Sequence, residues 1–209
     1  STGFNQSIVY GSNLDFNGST DYVTFGAAPG LAVTNFTLEA WIMIEGAGVT
    51  TTTSGTGGGG FVGATSAVPI VSKGRGEGES PANINMNYFM GLVGNKLAAD
   101  FEEGSGPNHS VIGNTTIPSN TWTHVAASYE SVTAVWNLYI NGVLDQTLDI
   151  GSNIIPANTS IQHAGVGSAL NSTGIAAGFF EGKIDEVRIW NVERTSTEIL
   201  ANYGSELSS

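Results

Sequence analysis

Three groups of residues in this sequence have the types and spacing to do chemistry. The first is the run Asn17-Gly18-Ser19-Thr20-Asp21. Calcium takes about six to eight hard oxygens, mixing carboxylates with backbone carbonyls. A glycine-containing turn aims several carbonyls one way, and Asp21 adds charge; the same aspartate can equally cap the turn through its own backbone. The second group is a pair of acidic segments, Glu77-Gly78-Glu79 and Asp100-Phe101-Glu102-Glu103. Alternation puts Asp100 and Glu102 on one strand face, opposite Leu97, Ala99 and Phe101. Two carboxylates on one face repel, so a cation or a ligand hydroxyl there would help; a solvated acidic edge is the other reading. The third is Glu39, His124 and Arg188, each set inside a hydrophobic strand pattern. A buried carboxylate needs a partner, which predicts an internal Glu39–Arg188 or Glu39–His124 pair, with catalysis as the competing reading.

Strands must position these groups. Phe36-Thr37-Leu38-Glu39-Ala40-Trp41-Ile42-Met43-Ile44-Glu45 places Phe36, Leu38, Ala40, Ile42 and Ile44 on one face. Further strands are predicted at Tyr22–Phe25, Pro69–Lys73, Met86–Val93, Leu97–Glu102, Trp122–Tyr129, Ala134–Ile140, Val143–Leu148 and Phe179–Trp190. Asn141-Gly142 between two of them reads as a type I′ hairpin turn. One helix is expected, where Thr195 and Glu198 have capping-box spacing ahead of Ile199 and Leu200. Strands at this spacing without intervening helices give an all-β antiparallel sandwich or jelly roll. Gly46 to Ala67, with its Thr and Gly runs, reads as a mobile insertion in a single domain covering residues 1–209.

Composition excludes several function classes. The 209 residues carry 6 Lys and Arg against 18 Asp and Glu, a net charge of −12, and no cysteine. Six cations in such a field supply no phosphate-neutralising stripe, so nucleic acid is excluded as a partner. Without cysteine there is no disulfide scaffold, zinc–thiolate site or thiol nucleophile. No run is apolar enough to sit in hydrocarbon. No signal peptide opens the chain, which reads as a module cut from something larger. Glycosylation sequons begin at Asn5, Asn17, Asn35, Asn108, Asn114, Asn158 and Asn171. In so Ser/Thr-rich a chain several arise by chance, and Asn35 adjoins a core strand.

Six blocks then fall in a recognisable order: Leu14-Asp15-Phe16-Asn17-Gly18-Ser19-Thr20-Asp21-Tyr22-Val23, Phe36–Trp41, Ile70-Val71-Ser72-Lys73-Gly74, Trp122-Thr123-His124-Val125-Ala126, Leu138-Tyr139-Ile140-Asn141-Gly142 and Gly182–Asn191. Together they resemble a laminin G-like, pentraxin-like domain of the concanavalin A-like lectin/glucanase superfamily, over residues 12 to 203. The resemblance implies a two-sheet jelly roll and calcium as a cofactor, held between the first and last strands. On this chain the ion would take Asp21, Asp185 and the carbonyls around Asn17 and Gly18. Pentraxins bind ligand through calcium held near the position of Glu77–Asn83 and by an acidic late loop. Here that loop reads Gly167-Ser168-Ala169-Leu170-Asn171, without the acid run.

The superfamily's glucanases carry Glu-x-Asp-x-x-Glu on one strand. Glu181-Gly182-Lys183-Ile184-Asp185-Glu186 does not fit it, and the arginine, Gln-x-His and tyrosine set of its lyases is missing. The expectation is therefore a non-catalytic, calcium-binding, carbohydrate-recognition module of a secreted or cell-surface adhesin-type protein. Its partner would be a glycan or a surface protein. The alternative is a structural spacer or protein-interaction module without a sugar site; a glycan-degrading enzyme comes third. Sugars are held by aromatic faces and by amide and carboxylate groups. The candidate ligand residues are Glu77, Glu79, Asn83, Asn85, Tyr88, Asp100, Glu102 and Asn171, with Trp136 and Tyr139 as further aromatic candidates. An extracellular, cell-surface location suits the acidic, cysteine-free composition and the calcium expectation.

Overall fold

The alternation in Phe36–Ile44 survives into three dimensions: Phe36, Leu38, Ala40, Ile42 and Ile44 all enter the main core. The computed structural model describes residues 13–54, 66–78 and 82–205. Among them two antiparallel sheets face one another. The first runs β1 (Leu14–Asn17), β15 (Glu181–Trp190), β3 (Phe36–Ile44), β9 (Thr123–Glu130), β10 (Val135–Ile140) and β11 (Val143–Asp149). The second runs β2 (Val23–Gly26), β12 (Ala164–Val166), β5 (Ser66–Lys73), β6 (Tyr88–Val93), β7 (Lys96–Asp100) and β8 (Val111–Thr116), with β4 (Thr51–Thr52) also paired to β5. β13 (Ala169–Leu170) and β14 (Ala176–Ala177) form a separate two-stranded ribbon, with Ala169 packed against Ala67, Phe89 and Ala98 of the second sheet. This is the jelly roll that the sequence predicts.

Between the sheets, Phe36, Phe101, Tyr129 and Trp136 form one aromatic cluster with centroids 4.6–5.8 Å apart. Tyr88, Met90 and Leu92 of β6 and Val125 and Ala127 of β9 pack around it. Pro69 sits inside β5 without breaking it, because the ladder slips by a bulge between Pro69 and Val71, where a missing N–H is tolerated. The Asn141-Gly142 turn takes φ of +51° and +75°, as a type I′ hairpin requires.

The two sheets meet edge to edge at β8 and β11. Asp145 of β11 accepts from the backbone N–H groups of Asn114 and Thr115 at 2.8 and 3.0 Å, occupying the open edge of β8. An occupied edge is a poor template for another strand.

A third layer lies on the outer face of the first sheet. Helix α1 (Ser196–Asn202) starts at Thr195 with the predicted capping box. Ile199 packs with Ala126 and Tyr139, and the Tyr203 ring stacks 6.1 Å from that of Trp41. Arg188 donates to the carbonyls of Asn202 and Ser205 and so ties down the end of this strap.

The predicted insertion at Gly46–Ala67 is partly built into the fold. Val49 forms a bridge to Phe179, Thr51 and Thr52 are β4, and Ser66 and Ala67 already belong to β5. Residues 55–65 lie outside the described residues. No helix among the described residues is long and apolar enough to cross a membrane.

Candidate functional site

Beyond Lys73, β5 runs into Gly74-Arg75-Gly76-Glu77-Gly78, and the neighbouring loops fasten onto this stretch. Gly74 N–H donates to the His163 carbonyl at 3.1 Å, Arg75 N–H to Gln162 Oε1 at 2.5 Å and Gly76 N–H to the Thr52 carbonyl at 2.9 Å. A β-carbon at Gly76 would sit 2.4 Å from the Ser54 carbonyl oxygen, so only glycine allows this approach. Glu77 then grips the next loop with both oxygens, accepting from Ser172 N–H at 3.0 Å and Ser172 Oγ at 2.9 Å. Asn171 shapes that loop: its Oδ1 accepts from Thr173 N–H, Thr173 Oγ1 and Ile175 N–H at 2.8–3.0 Å.

Asn83 joins from the other side at φ +64°. Its carbonyl accepts from Ile161 N–H at 2.8 Å and its Oδ1 from Thr159 Oγ1 at 3.1 Å. Asn85 donates to the carbonyls of Glu103 and Gly104 at 3.0 and 3.1 Å. Glu77, Asn83 and Asn85, close in sequence, and Asn171, some ninety residues on, thus lie on one continuous network of loops at the end of the second sheet. Beside it opens a groove of about 300 Å³ lined by Ala27, Pro29, Ala32 and residues Asn158, Thr159, Ser160 and Ile161. Asn83 and Thr159 are exposed beside this groove, and Thr173 is exposed on the Asn171 turn. Glu79 lies outside the described residues.

The other ligand candidates are placed elsewhere. Tyr88 is fully buried in the core against Phe36, because the alternation of β6 sends Tyr88, Met90 and Leu92 inward together. Burial drives its phenol above the ordinary value. Trp136 and Tyr139 are buried as well. Asp100 and Glu102 do share a face away from the core, but both are shut off from solvent, so neither a ligand pair nor a solvated edge describes them. Asp100 accepts from Asn108 Nδ2 and His109 N–H at 2.9 and 3.1 Å, and Glu102 accepts from Met86 N–H at 2.5 Å. They staple loops to the sheet. Burial pushes the Asp100 carboxyl up to about 7, against the pull of its hydrogen bonds.

The calcium set does not assemble. β1 does pair with β15, as that set requires, but the register matches Asn17 with Glu181 and Leu14 with Ile184. Asp185 therefore lies four positions from the turn, roughly 13 Å along the strand, opposite Trp41 of β3. Asn17 Oδ1 already accepts from the N–H groups of Ser19 and Thr20 at 2.9 Å. Asp21 Oδ2 accepts from Asn17 N–H at 3.2 Å. Those two side-chain oxygens face N–H donors and Asp185 does not join the turn, so the set expected to hold the ion is not brought together. No cluster of three or more His, Asp or Glu able to hold a metal occurs among the described residues.

Glu39 is fully buried and meets His124 Nε2 at 3.3 Å, the pairing expected across β3 and β9. The alternative partner is corrected. Arg188 stands opposite Glu39 in register yet turns to Glu186 at 2.7 Å. The second partner is instead Arg194, 3.3 Å from Glu39 Oε1 and stacked 4.5 Å over Trp190. Burial raises the Glu39 carboxyl, but His124 and Arg194 outweigh it and hold it below its ordinary value. Burial lowers His124, leaving a neutral imidazole beside a carboxylate. The pair is sealed under the strap, away from the groove beside Asn83 and Thr159, which is a structural placement.

The loop network also holds Arg75, Thr159, His163 and Ser172, none of which the sequence motifs single out. The glycines on both sides of Arg75 are the one local signal that points to it.

A family model for the concanavalin A-like lectin/glucanases superfamily, of laminin G-like type, matches residues 17–200, and the chain belongs to that family. Among solved structures it is similar to the CBM40 domain of the Ruminococcus gnavus IT-sialidase bound to α2,3-sialyllactose. That match has 12% identity and a TM-score of 0.63, covering 91% of this chain and 97% of that one. It is also similar to the receptor binding domain of botulinum neurotoxin type G, at 15% identity and a TM-score of 0.54, covering 91% of this chain and 41% of that one. At such identities the likeness is one of fold. No curated protein sequence matches the chain.

Proposed function

We propose that the chain is a non-catalytic carbohydrate-recognition module, lectin-like, which seats a glycan along the groove and rim built by Glu77, Asn83, Thr159 and the Asn171–Thr173 turn. It would serve a secreted or cell-surface protein of adhesin type, as one part of a longer chain. The observation that carries the reading is convergence: loops remote in sequence lock into one network and leave amide and hydroxyl groups exposed beside a concave apolar floor. Sugar sites are made this way, with rigid polar groups around a shallow apolar surface. The sugar-bound CBM40 domain, which shares the fold over nearly its whole length, supports the class of ligand. Because the turn and Asp185 do not converge, binding in this reading runs without calcium at that place.

A broad glycan array followed by calorimetric titration of the hits tests it. Thr173→Ala, and Asn83→Gly, which keeps the positive φ, should each weaken binding by about tenfold, the worth of one hydrogen bond. A chelator should leave it unchanged. Silence across the array would overturn the reading in favour of a spacer or protein-interaction module.

A further inference from the structure

The chain has six cationic side chains, and their partners single one out. Lys73 is buried and donates to the carbonyls of Ala27 and Gln162. Lys183 pairs with Glu45 and Asp15, Arg188 with Glu186 and Arg194 with Glu39. Lys96 is exposed beside the Gly94-Asn95 turn, where water serves it. Arg75 is different. It is half-buried, its Nε is out of solvent, and among the described residues no carboxylate or carbonyl accepts from its guanidinium.

The nearest acid in sequence, Glu77, has both oxygens committed to Ser172. The backbone that carries Arg75 is meanwhile fixed on each side. Gly74 at φ +109° is wedged against Gln162, and Gly76 lies against the Ser54 carbonyl. A guanidinium drawn part-way out of water without a partner is a cost the fold does not recover internally. A fixed fork of five donors is matched by a planar oxyanion.

We propose that Arg75 is the recognition residue for an acidic sugar, taking the carboxylate of a sialic or uronic acid unit while the rest of the glycan lies on the rim. This rests on the carbohydrate-recognition reading above and narrows its ligand class. The net charge of −12 works against an anionic ligand at long range, but screening confines that field to about 8 Å at physiological salt. Selectivity then comes from the short, bidentate contact rather than from steering.

The test is calorimetric titration of the whole chain with 3′-sialyllactose against lactose, and with trigalacturonate against a neutral galactose trisaccharide. At least one acidic member should bind about 10- to 100-fold more tightly than its neutral counterpart, the range for a charge-assisted hydrogen bond. Which pair shows the preference distinguishes sialic from uronic acid. Arg75→Gln should erase the preference with no change in melting temperature, and Arg75→Lys should restore only part of it. Equal affinity for acidic and neutral sugars, or a preference that survives Arg75→Gln, would overturn the assignment while leaving carbohydrate recognition standing. No binding of any of the four would overturn the acidic-sugar assignment, and silence across the broad array as well would bring down carbohydrate recognition with it.

Discussion

Replacing Arg194 by alanine removes the arginine that faces Glu39 and strands a buried charge. Glu39 is fully buried and would be left with a neutral His124 3.3 Å away. An enclosed carboxylate in that position answers by binding a proton. Without Arg194 the burial that opposes ionisation is no longer outweighed, so the carboxyl rises and the variant is penalised at neutral pH. Removing one partner of a buried pair typically costs ~3–5 kcal/mol.

The sign is specific. A raised folded-state value means that the native variant binds the proton more tightly than the unfolded chain. The penalty is therefore smallest in acid, where the unfolded chain's carboxyl is protonated as well, and grows as pH rises above the ordinary value of 4.5. The lost stacking on Trp190 adds about 1 kcal/mol that does not vary with pH. For a domain of this size 1 kcal/mol is roughly 2–4 °C, so the melting temperatures of wild type and Arg194→Ala should diverge by roughly 10 °C at pH 7.5. They should lie within a few degrees of each other at pH 4. Thermal melts followed by circular dichroism at three or four pH values decide the matter. A gap that stays constant across that range would refute the idea that Arg194 compensates a buried charge.

Asp100→Asn keeps the size of the side chain and removes the titration. Since burial holds Asp100 up to about 7, its contribution to wild-type stability should fall as pH rises from about 4 through 7, and the variant's melting curve should be flatter over that window. Trp136→Ala opens the centre of the aromatic cluster and strips a hydrogen bond from the His109 carbonyl; it should cost about 3–5 kcal/mol by chemical denaturation. Asp145→Ala frees the N–H groups of Asn114 and Thr115 on the edge of β8. It should raise the aggregation rate in light scattering more than it lowers the melting temperature. A melting temperature unmoved by millimolar calcium or by chelator is expected, given that the Asn17–Asp21 turn and Asp185 lie apart; a rise of several degrees that Asp185→Ala abolishes would contradict the register argument.

How legible each element is in the sequence depends on how its signal is encoded. Strand β3, the Asn141-Gly142 turn and the capping box at Thr195 are written in consecutive residues, and each stands where its spacing places it. β8 escapes such reading because Val111-Ile112-Gly113-Asn114-Thr115-Thr116 is an edge strand with little to bury. Its alternation carries almost no hydrophobic contrast, and its place is set by Asp145, some thirty residues on. Tyr88 is ambiguous for a related reason: both faces of β6 carry apolar residues, so pattern alone does not choose between them. The ion set fails on register. Pairing of β1 with β15 is foreseeable, but the offset that separates Asp185 from the turn is set by which rungs align, and no local sequence records that. Arg194 is hidden as the partner of Glu39 because the chain turns back over the sheet after Trp190, beyond the reach of strand periodicity.

The pairing of β1 with β15 also bears on how the domain would answer a mechanical load. Leu14 enters β1 at the end of the pair where β15 carries on toward Trp190. Tension drawn through both ends of the domain would peel the two strands apart rung by rung, whereas shear would have to break all the rungs at once. The strap stands in series with that weak seam. The Arg188 and Arg194 contacts must yield before force arriving from the C-terminal side reaches the first rung. The rungs Trp190–Thr37, Ile189–Leu38 and Arg188–Glu39 with β3 lie on the same path, so the strap and this ladder share a load arriving from the C-terminal side.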